Sequence, residues 1–376
     1  MRWDYDMGQS GDVNVTGLTA HAPGGKVNAL TSLRFFAAAS VALFHVPYTL
    51  PQLHPATLMP SGYLGVNFFF ILSGFILAYT YAGQSSLSIG RFFIKRFARI
   101  YPVHMLLLLI WIALFFTSWG NSTSDKLHSL IPNILLLHAW FPGPLYNLGY
   151  NAVSWSISVE AFFYLLFPFI RKPSAALLWC CLTFSGILIG VAFWDKEINS
   201  VFPDFFYFDP LARSMEFSAG ILLFHISGRL SALARHPLFL LASIVLLGVA
   251  VSKALPYVRQ DLQPVLLLPF MATLILGFYC CQGWIKWIMS MPGLVLLGEA
   301  SYSFYMLHHM LFRLLNAPLA ASFSPTMGVA VAFGITALAS IVLYLGFEKP
   351  SRSWLIRKLG SDGVDASQNL LHGISR

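Results

Sequence analysis

The chain has 376 residues, of which 57% are hydrophobic and only 10% charged, and its mean hydropathy is +0.69. Soluble domains carry about 25% charged residues, so this composition excludes an ordinary soluble protein and indicates a membrane protein. The net charge of +8 does not point to a nucleic-acid partner. Most of the basic residues lie in short loops between apolar runs, where they orient a chain in a membrane.

Long apolar runs recur from residue 29 to residue 347, and a run of about 20 such residues can cross a bilayer as a helix. The sequence therefore predicts an all-α fold, a polytopic transmembrane bundle of about ten spans. The predicted spans cover roughly residues 29–50, 63–82, 100–119, 152–170, 174–194, 209–226, 237–252, 262–281, 291–313 and 324–346. The run 129–141 is too short to cross, so we expect it to be interfacial or re-entrant.

The distribution of lysine and arginine predicts the orientation of these spans. With the N-terminus inside, four basic residues fall in outer loops: Lys126, Lys196, Lys253 and Arg259. Sixteen fall on the inner side: Arg2, Lys26, Arg91, Lys95, Arg96, Arg99, Arg171, Lys172, Arg229, Arg235, Lys286, Lys349, Arg352, Arg357, Lys358 and Arg376. Because cytoplasmic loops are enriched in these residues, both termini are predicted to be cytoplasmic.

This orientation divides the chain into three parts. Residues 1–28 form a polar cytoplasmic segment, residues 29–350 the transmembrane domain, and residues 351–376 a cytoplasmic tail. The first segment lacks the apolar core of a cleavable signal peptide. We therefore expect the first span to remain in the membrane as an anchor.

Two ionisable residues stand on the first predicted span, where charge is costly. Arg34 and His45 are eleven residues apart, which is about three helical turns, so their side chains share a face. Taken alone, the pair has two explanations. Either it forms part of a functional site, or Arg34 reaches the inner headgroups while His45 is a hydrogen-bonded interfacial histidine.

Ionisable groups on two further spans are predicted to lie at the depth of His45. Glu160 enters the fourth span from outside, with Ser156 and Tyr164 one turn away on either side. His308 lies in the outer half of the ninth span. Three separate segments that bring such groups to one level are more readily explained by a shared site than by packing.

The second inner loop carries the basic residues Lys95, Arg96 and Arg99. Arg96 and Arg99 are three residues apart and would share a helix face. Arginine suits phosphate because its guanidinium donates two charge-assisted hydrogen bonds. The alternative is that these residues only set orientation and bind lipid headgroups, which requires nothing beyond positive charge.

Several of these segments together resemble the motifs of the acyltransferase 3 family of integral-membrane acyltransferases. The first-helix motif is an arginine followed by a histidine after ten residues, and the third is an Arg-x-x-Arg loop. The segments that carry the resemblance are Leu33–His45, Gly65–Phe75, Arg96–Pro102, Trp155–Glu160, Ser301–His308 and Phe347–Pro350. The resemblance runs from about residue 30 to residue 350, nearly the whole chain.

The resemblance implies an O-acyltransferase of the cytoplasmic (inner) membrane that uses acyl-CoA, most often acetyl-CoA, and needs no metal. The acceptor would be a surface or exported polysaccharide, its lipid-linked precursor, or a small hydroxylated molecule. His45, Glu160 and His308 would then be catalytic, with His45 as general base on the acceptor hydroxyl. An acyl-histidine intermediate remains open. Arg34, Lys95, Arg96 and Arg99 would bind the donor, and the expected substrate-binding residues are Asn67, Ser73, Trp155, Tyr164 and Tyr305.

The chain departs from the family pattern at one position of the second motif. Asn67 stands where many relatives have aspartate, and since an amide does not ionise, it can orient a group but cannot act as a base. A non-enzymatic carrier or flippase would also place charges at mid-depth in a basic bundle. The sequence shows neither an inverted repeat nor paired broken spans, so the enzyme is favoured.

Overall fold

A computed structural model describes residues 27–53, 58–117, 122–193, 205–259 and 262–359, and these ranges fold into helices joined by short turns. The longer helices are α1 (Asn28–Thr49), α2 (Leu64–Thr80), α3 (Ile89–Phe115), α4 (Thr123–Ile134), α5 (Trp155–Ile170), α6 (Pro173–Phe193), α7 (Pro210–Ala234), α8 (Pro237–Val249), α9 (Gln263–Cys280), α10 (Ser301–Ser322) and α11 (Pro325–Leu343). The predicted all-α class is confirmed for these ranges.

Seven of the described helices are long and apolar enough to cross a membrane, namely α1, α3, α6, α7, α8, α9 and α11. Helices α2 and α5 are apolar but shorter. Many large apolar side chains face outward, such as Leu178 on α6 and Phe169 on α5, which is 78% exposed. Such a surface suits lipid and would aggregate in water. The protein is therefore a multi-pass membrane protein, whereas the number of ten spans and their orientation stay predictions.

The structure moves three predicted boundaries. Helix α3 begins at Ile89, so the stretch that carries Arg96 and Arg99 forms its first turns and is not a loop. The predicted ninth span is divided at Ala300, between the short helix Pro292–Glu299 and α10. Helix α11 continues through a π-helical turn to Leu359, so the first residues of the predicted C-terminal tail are helical. The segments 1–26 and 360–376 lie outside the described residues.

The stretch predicted to be interfacial or re-entrant forms short helical pieces between α3 and α5. Helix α4 is followed by a single 3-10 turn, His138–Trp140, and the short helix Pro144–Asn147. Polar contacts attach this stretch to its neighbours. The Lys126 ammonium donates to the Phe116 carbonyl at 2.7 Å, and the Ser158 hydroxyl on α5 donates to the Leu136 carbonyl at 2.6 Å.

Small residues let the central helices approach closely. A Cβ atom on Gly74 of α2 would lie 1.9 Å from the Phe217 carbonyl oxygen of α7, and one on Gly220 would lie 1.9 Å from the Ile71 carbonyl oxygen. A Cβ atom on Gly62, just before α2, would lie 2.0 Å from the Ser40 carbonyl oxygen of α1, and one on Gly65 would lie 2.5 Å from that of Ala37. Glycine permits such contacts between membrane helices, and here they hold α2 between α1 and α7.

The orientation can be tested with reporter fusions. We expect fusions after Gln84, in the exposed turn between α2 and α3, and after Gly360 to report a cytoplasmic location. Sixteen of the twenty basic residues outside the predicted spans are predicted to lie on that side. A phosphatase that is active only outside and a fluorescent protein that folds only inside give opposite readings. An outside reading at Gln84 would remove the arginines of α3 from the cytoplasmic face.

Candidate active site

A cavity with charged side chains in its lining lies inside the bundle between α1, α2, α3, α5 and α10. Its lining is mixed, with charged and hydroxyl-bearing side chains facing apolar and aromatic ones. The residues that line it are Arg34, Val66, Phe69, Phe70, Leu72, Ser73, Ile76, Leu77, Arg96, Arg99, Ser156, Ile157, Glu160, Tyr164, Ser301, Tyr302 and Tyr305. Ser73, Tyr164 and Tyr305, predicted from sequence to bind substrate, are among them.

Three arginines gather at one end of this cavity, which we call the arginine end. Arg34 comes from α1, and Arg96 and Arg99 come from the first turns of α3. The Arg96 guanidinium lies 5.8–6.0 Å from the ring centroids of Tyr81, Phe92 and Tyr164. Cation–π attraction at these distances holds an arginine without neutralising it.

Two carboxylates accompany the three arginines. Glu160 accepts a hydrogen bond from the Tyr164 hydroxyl, and Glu348, which is 7% exposed, accepts one from the Ser303 hydroxyl at 2.6 Å. Both carboxylates lie within electrostatic reach of Arg34 and Arg99. Three guanidinium groups against two carboxylates leave an excess of positive charge, which suits an anionic ligand with several phosphate oxygens.

The opposite end of the cavity is closed by Tyr305 of α10. Its hydroxyl donates to the Val153 carbonyl oxygen at 3.1 Å and accepts from the Ser156 hydroxyl at 2.9 Å. The Phe69 ring of α2 lies edge-on to the Tyr305 ring at 6.2 Å. Tyr305 thus stands between the arginine end and the two histidines, which follow along α10.

His45 and His308 form a hydrogen-bonded pair beyond this closure. The Nδ1 atom of His45 lies 3.1 Å from Nε2 of His308, and Nδ1 of His308 lies 2.6 Å from the Tyr305 carbonyl oxygen. A carbonyl oxygen only accepts, so Nδ1 of a neutral His308 carries the proton and its Nε2 is the acceptor. His45 therefore donates from Nδ1, which leaves the lone pair of its Nε2 free to accept a proton.

The two histidines differ in their accessibility. His308 is fully buried, whereas His45 is half-buried. His45 stands beside Tyr48, which is 66% exposed, and its ring is also met edge-on by His309 at 5.8 Å. The hydrogen bond that one ring nitrogen makes decides where a histidine carries its proton, so His308 sets the tautomer of the more accessible His45.

The structure brings together some of the predicted site residues and separates others. Glu160 lies at the arginine end with Tyr164 and lines the cavity, whereas the histidine pair lies beyond Tyr305. The common depth expected for His45, Glu160 and His308 thus becomes two neighbouring levels. The reason is that Ser156, one turn earlier on α5, is the residue of that helix that meets Tyr305.

Three predicted binding residues lie outside the cavity lining. Lys95 is exposed and lies within electrostatic reach of Arg91 and Arg352. Trp155 is buried against the rings of Tyr207 and Phe208. Asn67 is 1% exposed, and among the described residues neither polar atom of its amide has a hydrogen-bond partner.

Reasoning from sequence missed two residues of the site. Glu348 was recognised only as part of the motif Phe347–Pro350, although a carboxylate within an apolar stretch is itself a signal. Tyr302 lines the cavity and donates to the Ile100 carbonyl oxygen at 2.6 Å. It thereby ties α10 to α3 beside the arginines, which no local pattern in the sequence indicates.

The helical bundle, the positive cavity and the histidine pair together fit an integral-membrane enzyme of group transfer. Comparison with known proteins agrees. The family model described as an acyltransferase domain, that of the acyltransferase 3 family, matches residues 27–345. The chain belongs to this family, and the resemblance noted in its motifs is confirmed.

Three relatives illustrate the similarity. An acyltransferase of Streptomyces mycarofaciens, MdmB, is 31% identical over 77% of this chain and 79% of its own length. The putative peptidoglycan O-acetyltransferase YrhL of Bacillus subtilis is 24% identical over 86% of this chain, which spans only 54% of that protein. The exopolysaccharide production protein ExoZ of Rhizobium meliloti is 28% identical over 77% of this chain and 89% of its own length. No solved structure matches the chain significantly.

Proposed function

We propose that this membrane acyltransferase moves an acyl group, above all acetyl, from acyl-CoA to a hydroxyl of a cell-surface or exported polysaccharide or of its lipid-linked precursor. The observation that carries the proposal is the pairing of a positive cavity with a histidine whose Nε2 lone pair is free, on adjoining levels of one bundle. The first feature suits a phosphorylated donor, and the second suits deprotonation of a hydroxyl.

The donor fits the arginine end of the cavity. Under the predicted orientation this end faces the cytoplasm, which holds CoA, and the protein lies in the cytoplasmic membrane. The CoA phosphates would bind Arg96, Arg99 and Arg34, and the thioester would extend along the cavity toward Tyr305. Arginine forks match phosphate oxygens with two parallel hydrogen bonds, and Lys95 at the surface adds attraction at the entrance.

The histidine pair fits the transfer step. Nε2 of His45 takes the proton of the acceptor hydroxyl as the oxygen attacks the thioester carbonyl carbon, and the new C–O bond forms. The C–S bond then breaks, and the departing CoA sulfur receives the proton from the His45 imidazolium. The Tyr305 carbonyl oxygen holds the proton of His308 on Nδ1. Nε2 of His308 therefore accepts from Nδ1 of His45 and keeps His45 in the tautomer with a free Nε2.

The acceptor class rests on the relatives. Two of them are named for peptidoglycan O-acetylation and for exopolysaccharide production. Tyr48 and His309 beside His45 offer ring surfaces and polar atoms that a sugar could use. A polysaccharide that is modified during export would reach His45 from the side opposite the arginines.

The proposal is tested with purified protein in lipid nanodiscs. With radiolabelled acetyl-CoA and glycan from a strain that lacks the protein, we expect label to move into the glycan and CoA to be released in equal amount. Mass spectrometry of surface glycans from that strain should show the loss of one acyl mass. Full acylation in its absence and no CoA release in vitro would refute the proposal. Label in a small hydroxylated molecule instead would correct the acceptor alone.

Replacing Arg96 or Arg99 by alanine should raise the Michaelis constant for acetyl-CoA at least tenfold and leave that for the acceptor nearly unchanged. Hydrogen bonds to charged groups contribute about 1.5–3 kcal/mol each, and both side chains line the donor cavity. Initial rates of CoA release at varied donor and fixed acceptor measure the effect.

A matched control is Arg91→Ala, an exposed arginine at the start of α3 that lies outside the cavity lining. We expect it to leave the Michaelis constant for donor within about twofold. Lysine at position 96 or 99 should recover part of the loss, because charge survives but the bidentate fork does not. Normal acetyl-CoA affinity in both alanine variants would contradict donor binding by Arg96 and Arg99 and leave them only a role in membrane orientation.

A further inference from the structure

Phe69 holds an unusual position on α2. From Leu64 to Phe70 it is the one residue that is not fully buried, because its side chain faces the cavity. Its ring meets Tyr305 edge-on at 6.2 Å. Its neighbour Phe68 is 6% exposed and packs instead in the hydrophobic cluster that includes Leu267 and Met271 of α9.

The packing of α1 against α2 shows where Phe69 lies along the cavity. Gly62 approaches the Ser40 carbonyl oxygen, and Gly65 approaches that of Ala37, so the two helices run antiparallel. Phe69, one turn further along α2, therefore lies at about the level of Arg34. His45 is eleven residues from Arg34, about 16 Å along α1.

Along the proposed path from the arginine end to His45, an acyl group therefore passes the Phe69 ring first and Tyr305 next. Tyr305 is fixed in this position, because its hydroxyl bonds Val153 and Ser156 and its backbone oxygen holds His308. Phe69 has no polar anchor, since its side chain has no hydrogen-bonding atom. Of these two aromatic side chains that the acyl group would meet, Phe69 is thus the one whose size can be changed without breaking a hydrogen bond.

We infer that Phe69 is a specificity-determining residue that limits the size of the transferred acyl group, so that compact groups such as acetyl pass and branched ones are rejected. This inference rests on the proposed function, because it requires an acyl-CoA that enters from the arginine end. Apolar walls discriminate between groups that differ by one methylene by roughly 10- to 200-fold, and a branched five-carbon group differs from acetyl by more.

The test is a competition between two donors. Purified protein receives equal concentrations of acetyl-CoA and isovaleryl-CoA with glycan from a strain that lacks the protein, and mass spectrometry counts the two acyl masses on the glycan. Wild-type protein should transfer acetyl almost exclusively. Phe69→Ala should raise the isovaleryl-to-acetyl ratio at least tenfold, and Phe69→Trp should lower it further or block transfer.

Phe68→Ala is the matched control, because it removes the same side chain one residue away but from the core side of α2. We expect its product ratio to equal that of wild type. Phe69→Leu, a milder change, should give an intermediate ratio and serves if the alanine variant does not fold. A ratio that changes less than threefold in folded Phe69 variants, or equally in Phe68→Ala, overturns the inference alone. No transfer of either group by wild-type protein overturns the proposed function and the inference with it.

Discussion

Replacing His45 by alanine should abolish acyl transfer while leaving membrane insertion and stability in detergent nearly unchanged. His45 is half-buried, and its ring is hydrogen-bonded to the side chain of His308. Its removal therefore takes little packing from the core. Its Nε2 carries the only lone pair of the histidine pair that no hydrogen bond within the pair uses. A general base contributes about 10²–10⁴-fold in rate, and initial rates of CoA release should fall by that factor.

His45→Gln separates proton transfer from shape. Glutamine can still donate to Nε2 of His308, but its amide takes no proton near neutral pH. It should therefore be almost as inactive as alanine. Size-exclusion profiles and melting temperatures in detergent confirm that both variants are folded. A loss below tenfold in folded His45→Gln would mean that another group is the base. Glu160, whose carboxylate lines the cavity, would be the next candidate.

The helices could be predicted from sequence because a bilayer imposes a length and an apolar composition on each span. The boundaries that were wrong lie where polar residues continue a helix past the apolar stretch. Helix α3 begins eleven residues before the predicted span. Its first turns expose Arg91 and Lys95 and turn Arg96 and Arg99 toward the internal cavity. Helix α10 does not meet the composition of a long apolar span, because His308, His309 and Arg313 interrupt it.

The site could be predicted in part, for a similar reason. Ionisable residues within spans, such as Arg34 and His45, stand out because charge in a membrane requires an explanation. Their grouping could not be predicted, because it depends on how the helices rotate and cross. Gly74 and Gly220 set the crossing of α2 with α7. The contact of Ser156 with Tyr305, which puts Glu160 with the arginines, joins residues 149 positions apart.

His308 lies behind His45 and accepts a hydrogen bond from its Nδ1. His308→Ala should lower kcat by roughly 10²-fold, because His45 loses the acceptor that keeps its proton on Nδ1. The Michaelis constant for acetyl-CoA should change less than twofold, since His308 does not line the cavity that we propose for the donor. Steady-state rates at varied acetyl-CoA separate the two constants.

His308→Gln distinguishes this orienting role from simple packing. The side-chain oxygen of glutamine can accept a hydrogen bond from Nδ1 of His45, so kcat should recover at least tenfold over the alanine variant. This recovery does not require a bond to the Tyr305 carbonyl oxygen, which His308 makes in the wild type. A role in packing alone would make recovery follow side-chain volume, and His308→Leu would then match glutamine because it fills similar space without an acceptor. We expect leucine to be as inactive as alanine. Equal activity of the leucine and glutamine variants, or near-normal kcat in His308→Ala, would contradict the relay from the Tyr305 carbonyl oxygen to His45 and leave His45 to be oriented by α1 itself.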